Sequence, residues 1–307
     1  MARCCSCLLP ALSLAMLYCP NRHKPKMRPA KQVMTNEVVI RLLAFALVLG
    51  AMAAWEIVAP RRVRSLGRAV RWPSNLGIIV LDTVLVRLLF PVTAVGLAFA
   101  CEANGWGLFQ VWRLPLWASI PLSFMAMDMA IYLQHVMFHA VPALWRLHRM
   151  HHADQEFDVT TGVRFHPIEI LLSMAIKFGV ITALGTPAVA VLIFEIMLNA
   201  TSMFSHSNVR MPIWLDKVLR WIVVTPDVHR VHHSIVVHET NSNFGFNLPW
   251  WDRLFSTYQD QPAAGHDGMT IGIKQFRQED EQRLDRMLTQ PFREDTRDYP
   301  IGRGQAD

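Results

Sequence analysis

The chain has 307 residues, 52% of them hydrophobic and only 18% charged, with a net charge of +6. A soluble globular domain would carry about a quarter charged residues, so this balance with its long apolar runs indicates an integral membrane protein. The basic residues are dispersed, which excludes nucleic acid as a partner, and the five cysteines form no disulfide framework.

Residues 1–33 read as an extension to the organised protein. The apolar piece from Cys4 to Cys19 resembles neither a spanning helix nor a signal peptide, and a basic, Pro-containing segment follows it. The protein proper is expected to start at Met27 or Met34; Cys4, Cys5 and Cys7 are near enough in sequence to share a metal. Residues 34–134 hold the membrane helices. Val38 to Val58 is a run of about the twenty residues that a bilayer demands. Leu76 to Cys101 is longer and is interrupted by Asp82, Arg87 and Pro91. Charges within a span are costly unless paired, so Asp82 and Arg87 read as members of an intrabundle ion pair. Leu114 to Tyr132 is the third run and delivers the chain to His135.

Residues 135–258 form the His-rich region and include a membrane hairpin over 168–201. Its arms, Ile168–Ala183 and Ala188–Thr201, flank Gly185-Thr186-Pro187 and would each be only about 21–24 Å long as helices. Residues 259–307 read as a charged tail with one surface helix over Gln278–Thr289. The densest positive group, Arg61, Arg62, Arg64, Arg68 and Arg71, follows the first run and belongs on the cytoplasmic side. Counting crossings from there puts every His cluster on that same face. The expected architecture is all-α: about four transmembrane helices, multi-pass, with a cytosolic, His-rich, metal-binding helical cap.

Three of those clusters carry chemistry. HVMFH spans His135–His139, HRMHH spans His148–His152 and HRVHH spans His229–His233. Spacings of three and four residues put side chains on one helix face, so each five-residue box is expected to aim its three rings at one point. Neutral imidazole is the commonest nitrogen ligand of Zn, Fe, Cu and Ni. Eight rings (His135, His139, His148, His151, His152, His229, His232 and His233) exceed the four to six positions of one ion, so the site is read as holding more than one.

Asp128 and Tyr132 lie on the same face of the third run as His135 and read as partners that orient ligand rings. Asp128 reads equally as the partner of a basic residue on a neighbouring span. Trp145, Arg146 and Arg149 suit a short helix at the membrane surface, and Thr225-Pro226-Asp227 suits a helix start. His166 and His206 are isolated, and a lone His reads first as a buried, hydrogen-bonded ring; His238 and His266 read as surface residues. No H-E-x-x-H, G-x-S-x-G, P-loop or G-x-G-x-x-G signature is placed to work.

The ordered motifs resemble the membrane-bound sterol desaturase and fatty acid hydroxylase superfamily. They are Asp128-x-x-x-Tyr132-x-x-His135-x-x-x-His139, Leu144-Trp145-x-x-His148-x-x-His151-His152, Arg164-Phe165-His166-Pro167-x-Glu169, His206-Ser207-Asn208 and His229-x-x-His232-His233. Asn243-Phe244-Gly245 and the stretch from Trp251 to Tyr258 complete the likeness, with Ser256 where Gly is usual. The resemblance implies a non-haem di-iron oxygenase, with two Fe that zinc can replace on isolation. It would use O2 and electrons from a separate donor protein to hydroxylate or desaturate a membrane lipid, sterol or fatty acyl. It also implies that His206 and His166 join the eight as ligands or their supports. Asn208 and Asp227 stand with Asp128 and Tyr132 as candidate supports. Two other readings remain open: a zinc-bound, non-oxidative enzyme of lipid headgroups, and a His-rich metal-handling membrane protein. A transporter would keep its ligands near the midplane, whereas these lie at the ends of spans. The sequence carries no signal for an oligomeric state.

Overall fold

The computed structural model describes residues 28–293, 296 and 299–301, with side chains from Asn36 onward. Cys4, Cys5, Cys7 and the start at Met27 lie outside these, whereas Met34 falls inside the first helix, α1 (Arg28–Val58). The chain continues through α2 (Arg68–Leu89), α3 (Ala94–Asn104), α4 (Leu108–Val111), α5 (Leu116–Ala140) and α6 (Pro142–His152). Then come α7 (Pro167–Leu184), α8 (Ala188–Ser205), α9 (Ile213–Leu219), α10 (Pro226–His232), α11 (Val237–Thr240), α12 (Trp250–Leu254), α13 (Gly265–Gly268) and α14 (Leu284–Thr289). Among the described residues strand pairing is limited to two isolated bridges, Pro60 with Val209 and Ser234 with Ile271. The fold is all-α, as expected.

Among the described residues five helical stretches are long and apolar enough to cross a bilayer, close to the expected four or so. The fifth comes from the hairpin. Its arms α7 and α8 have 18 residues each, about 27 Å at 1.5 Å per residue, against the shorter pieces read from hydropathy. The helices extend past the apolar runs, to Pro167 and Leu184 in the first arm and through the polar Ser202 to Ser205 in the second. Between the arms Gly185 takes the left-handed conformation, φ +66°, which only glycine adopts without strain, and Pro187 opens the second arm. The second apolar run is one crossing made of two helices. Pro91 has no N–H to continue α2, so Phe90 turns extended and Thr93 recaps the chain, its side chain accepting from Gly96 N at 3.0 Å.

α8 is the hub of the bundle, packing against α1, α3 and α5, while α7 packs against α2, α3 and α5. Exposed leucines and valines such as Leu43, Leu47 and Leu88 face outward, where lipid would cover them. Exposed tryptophans lie at both ends: Trp106, Trp112 and Trp117 around the α3–α5 connection, and Trp214, Trp221 and Trp250 on the cap side. That is the placement of interfacial aromatic belts. The chain is a multi-pass membrane protein.

The cap is bolted to the bundle by buried charge. α2 begins earlier than hydropathy suggested, at Arg68, so Arg71 is helical and fully buried. Its guanidinium donates to Asp154 at 2.5 and 2.6 Å and to Asp158 at 2.7 Å. Trp145 and Arg149, read as membrane-surface residues, are instead completely buried. Trp145 stacks on Tyr299 and Arg149 donates to Gln290 O. The residues beyond Tyr258 supply this cover: Ile271, Ile273, Phe276 and Tyr299 are core, and Leu284 and Met287 pack with Ile78 and Met150. Only the end of the expected surface helix is α-helical, as α14; Glu279–Gln282 is a 3-10 turn.

Candidate metal centre

Nine buried imidazoles meet at the cap side of the bundle in two groups. His135 and His139 of α5, His148 and His152 of α6 and His232 of α10 form one; His151, His206, His229 and His233 form the other. Within each group the candidate ligand nitrogens all lie within 4.8 Å of one another. The five-residue boxes therefore do not aim their three rings at one point. Adjacent residues on a helix diverge by about 100° (3.6 residues per turn), so His151 and His152 turn to different groups while His148 and His152, one turn apart, share one. His232 and His233 divide in the same way. The groups adjoin: His152 stacks on His233 with ring centroids 4.6 Å apart.

Six rings are oriented through Nδ1. His135 meets Phe244 O at 2.8 Å, His151 meets Arg164 O at 3.1 Å, His206 meets Ser202 O at 2.7 Å and His232 meets Ser242 O at 2.7 Å. His139 meets Asn241 Oδ1 at 3.1 Å and His148 meets Glu169 Oε1 at 2.7 Å. Carbonyl and carboxylate oxygens only accept, so each Nδ1 carries the proton and each Nε2 presents a lone pair. The consequence is facing lone pairs: Nε2 of His135 and His148 are 3.1 Å apart, and so are those of His151 and His206. A cation held between them reconciles such pairs. Two nitrogens at right angles around an ion with bonds of about 2.1 Å would stand about 3.0 Å apart. Further nitrogens are buried with no partner: Nε2 of His139 and His232, Nδ1 of His229, and both nitrogens of His152 and His233. The donor set fits metal, with imidazole as its only ligand type.

Electrostatics agree with neutral rings. Burial pushes His148 and His206 down to about 3. Burial, followed by repulsion among the rings, lowers His151, His152, His229, His232 and His233 as well. In the unfolded chain these groups titrate near 6.5. Between the two values the unfolded state binds more protons, so stability is complete above about pH 6.5 and falls as the pH drops toward 3. Melting of the metal-free protein should show that acid limb, at about 1.4 kcal/mol per pH unit for each ring held neutral. A melting temperature flat from pH 7 to pH 4 would refute it.

The other residues singled out in the sequence serve the scaffold. His166 stands apart from both groups: it caps α7, accepting from Ile168 N at 3.2 Å, with Nε2 3.3 Å from Leu288 O. Asp128 bonds to none of the imidazoles. It accepts from Asn247 Nδ2 at 2.8 Å and Trp251 Nε1 at 2.9 Å, and so holds the loop before α12. Tyr132 bonds Thr257 Oγ1 at 2.9 Å. Asn208 pairs with the Arg62 backbone, and Asp227 with Arg230 and Arg61. His266 is buried 3.7 Å from Asp227; His238 is exposed.

The direct supports of the rings are mostly backbone carbonyls, invisible in a sequence, with Glu169 and Asn241. Glu169 had a signal, standing three residues after His166 within a quoted motif. Asp252 acts at one remove. It accepts from Phe244 N and Gly245 N at 2.7 Å each, which fixes the carbonyl that orients His135. A Cβ on Gly245 would lie 2.6 Å from that carboxylate. Ser256 occupies a left-handed position, φ +60°, which explains why glycine is usual there.

A cavity of about 310 Å³ opens from the first group into the bundle. His135, His148 and Glu169 line one part of it, Phe138, Phe165 and Met174 its apolar wall, and Arg41 of α1, Lys177 of α7 and Glu195 of α8 a charged part.

The bundle thus brings two imidazole groups that could each hold a metal ion to one end of a cavity with an apolar wall. Residues 120–257 match the model of the fatty acid hydroxylase family, over the region that carries the motifs resembling the sterol desaturase and fatty acid hydroxylase superfamily. The chain is similar to an ornithine lipid hydroxylase of Rhizobium tropici, 31% identical over 159 residues, 52% of this chain and 46% of that protein. It is also similar to alkylglycerol monooxygenases: 28% identical over 209 residues for Xenopus tropicalis, covering 66% of this chain and 45% of that protein. The human protein is 26% identical over 179 residues, 56% of this chain and 38% of its own. The chain thus spans less than half the length of these relatives. No solved structure matches it.

Proposed function

We propose that this chain is a membrane oxygenase that inserts oxygen at, or desaturates, a lipid C–H position, with two iron ions held by the two imidazole groups. The observation that carries the reading is the continuity between His135 and His148 and the apolar cavity, which lets a hydrocarbon segment reach the metal ligands without entering water. Relatives named as an ornithine lipid hydroxylase and alkylglycerol monooxygenases support it. When bound, iron would supply the one-electron chemistry with O2 that no side chain here provides. His135, His139, His148, His152 and His232 would hold one ion, and His151, His206, His229 and His233 the other. Phe244 O, Arg164 O, Ser202 O, Ser242 O, Asn241 and Glu169 keep the rings in the tautomer that ligates. Phe138, Phe165 and Met174 exclude water and position the chain.

The electrons come from a separate donor protein docking on the cap. That face is cytoplasmic: Arg61, in the basic loop, pairs with Asp227 and Asp267 of the cap and donates its backbone N–H to Asn208 O, so the positive loop and the imidazoles share one side.

The test is anaerobic loading of the purified chain with ferrous iron, followed by spectroscopy and by O2-dependent change in the lipids of membranes that contain it. Two iron per chain and a new oxidised lipid are expected. Full zinc occupancy with an unchanged lipid profile under air would overturn the proposal.

A further inference from the structure

Asp82 is an intrabundle charge that has no counter-ion among the described residues. It lies in α2 and is only 8% exposed, yet Oδ1 has no hydrogen-bond partner. The ion pair with Arg87 expected from sequence does not form among the described residues. Arg87 is exposed, and the other cations of the cavity are engaged elsewhere, Arg41 with Glu195 at 2.9 Å and Lys177 with Glu195 at 2.8 Å. A buried carboxylate without a partner is among the costliest features a protein can carry.

Asp82 lines the same cavity as His135 and His148, and it is near enough to Glu169 for the two carboxylates to repel. Two more acceptors in that lining are equally unsatisfied: Glu169 Oε2, whose other oxygen holds His148, and Gln134 Oε1. The lining thus presents three acceptor oxygens, two of them on acids, that no donor of the described residues reaches. An alkyl chain or a hydroxyl would leave most of that demand unmet. A primary ammonium carries one positive charge and three N–H donors, which is what this wall lacks.

We propose that Asp82, helped by Gln134 and the free oxygen of Glu169, is a docking site for the ammonium group of an amine-bearing lipid, held beside the first imidazole group. This deepens the oxygenase reading and rests on it for the identity of the reaction. It gives the substrate class as aminolipids and places the oxidised carbon within a few bonds of the amine, because Glu169 bridges the docking wall and His148.

The experiment uses the full chain in detergent micelles with hexadecylamine, hexadecanol and butylamine as probes, read by ligand-dependent melting temperature. Hexadecylamine should bind about tenfold more tightly than hexadecanol, the scale of one charge-assisted hydrogen bond, and more tightly than butylamine. Asp82→Asn should erase the preference for the amine and, by removing an unpaired buried charge, raise the melting temperature of the ligand-free protein. Gln134→Leu should reduce the preference and serves if the first variant fails to fold. Equal binding of amine and alcohol, a preference that survives in Asp82→Asn, or tight butylamine binding without chain dependence would overturn the proposal. Metal content and O2 uptake are measured on the same samples. An amine preference without O2-dependent oxidation sinks the oxygenase reading alone, and oxidation without the preference sinks the docking site alone.

Discussion

Replacing His233 by Ala should release about one metal equivalent per chain and reduce lipid oxidation by at least about 100-fold. His233 is fully buried, and neither of its nitrogens has a protein partner, so its ring has no structural bond to lose. It is one of four ligand candidates in its group, with His151, His206 and His229. Loss of a mere ligand-orienting partner typically costs 10–100-fold in affinity or activity, and loss of a ligand from a set of four should exceed that. The five-member group would keep all its rings. Metal-to-protein ratio by elemental mass spectrometry, measured on the folded fraction, checks the expectation. A variant that retained both equivalents would show that the second group is not a metal site.

Arg71→Leu should be the most destabilising single change outside the imidazole groups, at about 3–5 kcal/mol, or roughly 10 °C in melting temperature. Burial would raise the pKa of Asp154, but Arg71 and Arg164 bring it down to about 2. Asp158, raised by burial too, is also lowered overall, Arg71 being the main cause. Both carboxylates are therefore ionised and fully enclosed, and removing Arg71 strands them. The segment they anchor lies just after His151 and His152, so metal retention should fall with stability. Combining Arg71→Leu with Asp154→Asn and Asp158→Asn should recover part of the loss, since the cost comes from uncompensated charge rather than from the missing side chain. A fall of under 1 kcal/mol in the single variant, measured by thermal melting in detergent, would contradict this account.

The rules used on the sequence are local, and they worked where the determining physics is local. The breaks at Gly185-Thr186-Pro187 and Thr225-Pro226 end and start helices as their backbone preferences require. The failures were tertiary. Asp128 looked like a ring partner because it shares a helical face with His135, but a face says nothing of what packs against it. In the fold that neighbour is the loop carrying Asn247 and Trp251. His166 sits inside a motif rich in site residues, yet its position before Pro167 makes it a helix cap. Trp145 reads as interfacial until the C-terminal residues that bury it are in place.

By itself, the sequence determined that the chain is a membrane protein and that its imidazoles come in helical boxes suited to metal. Composition and residue spacing are enough for both, because bilayer thickness and helix pitch are constants. Only the tertiary structure decided how the rings are shared between two groups, which carbonyls set their tautomers, and that Asp82, on the cavity wall, has no counter-ion among the described residues. Those outcomes depend on which helices pack together, and contacts between residues a hundred positions apart leave no period in the chain.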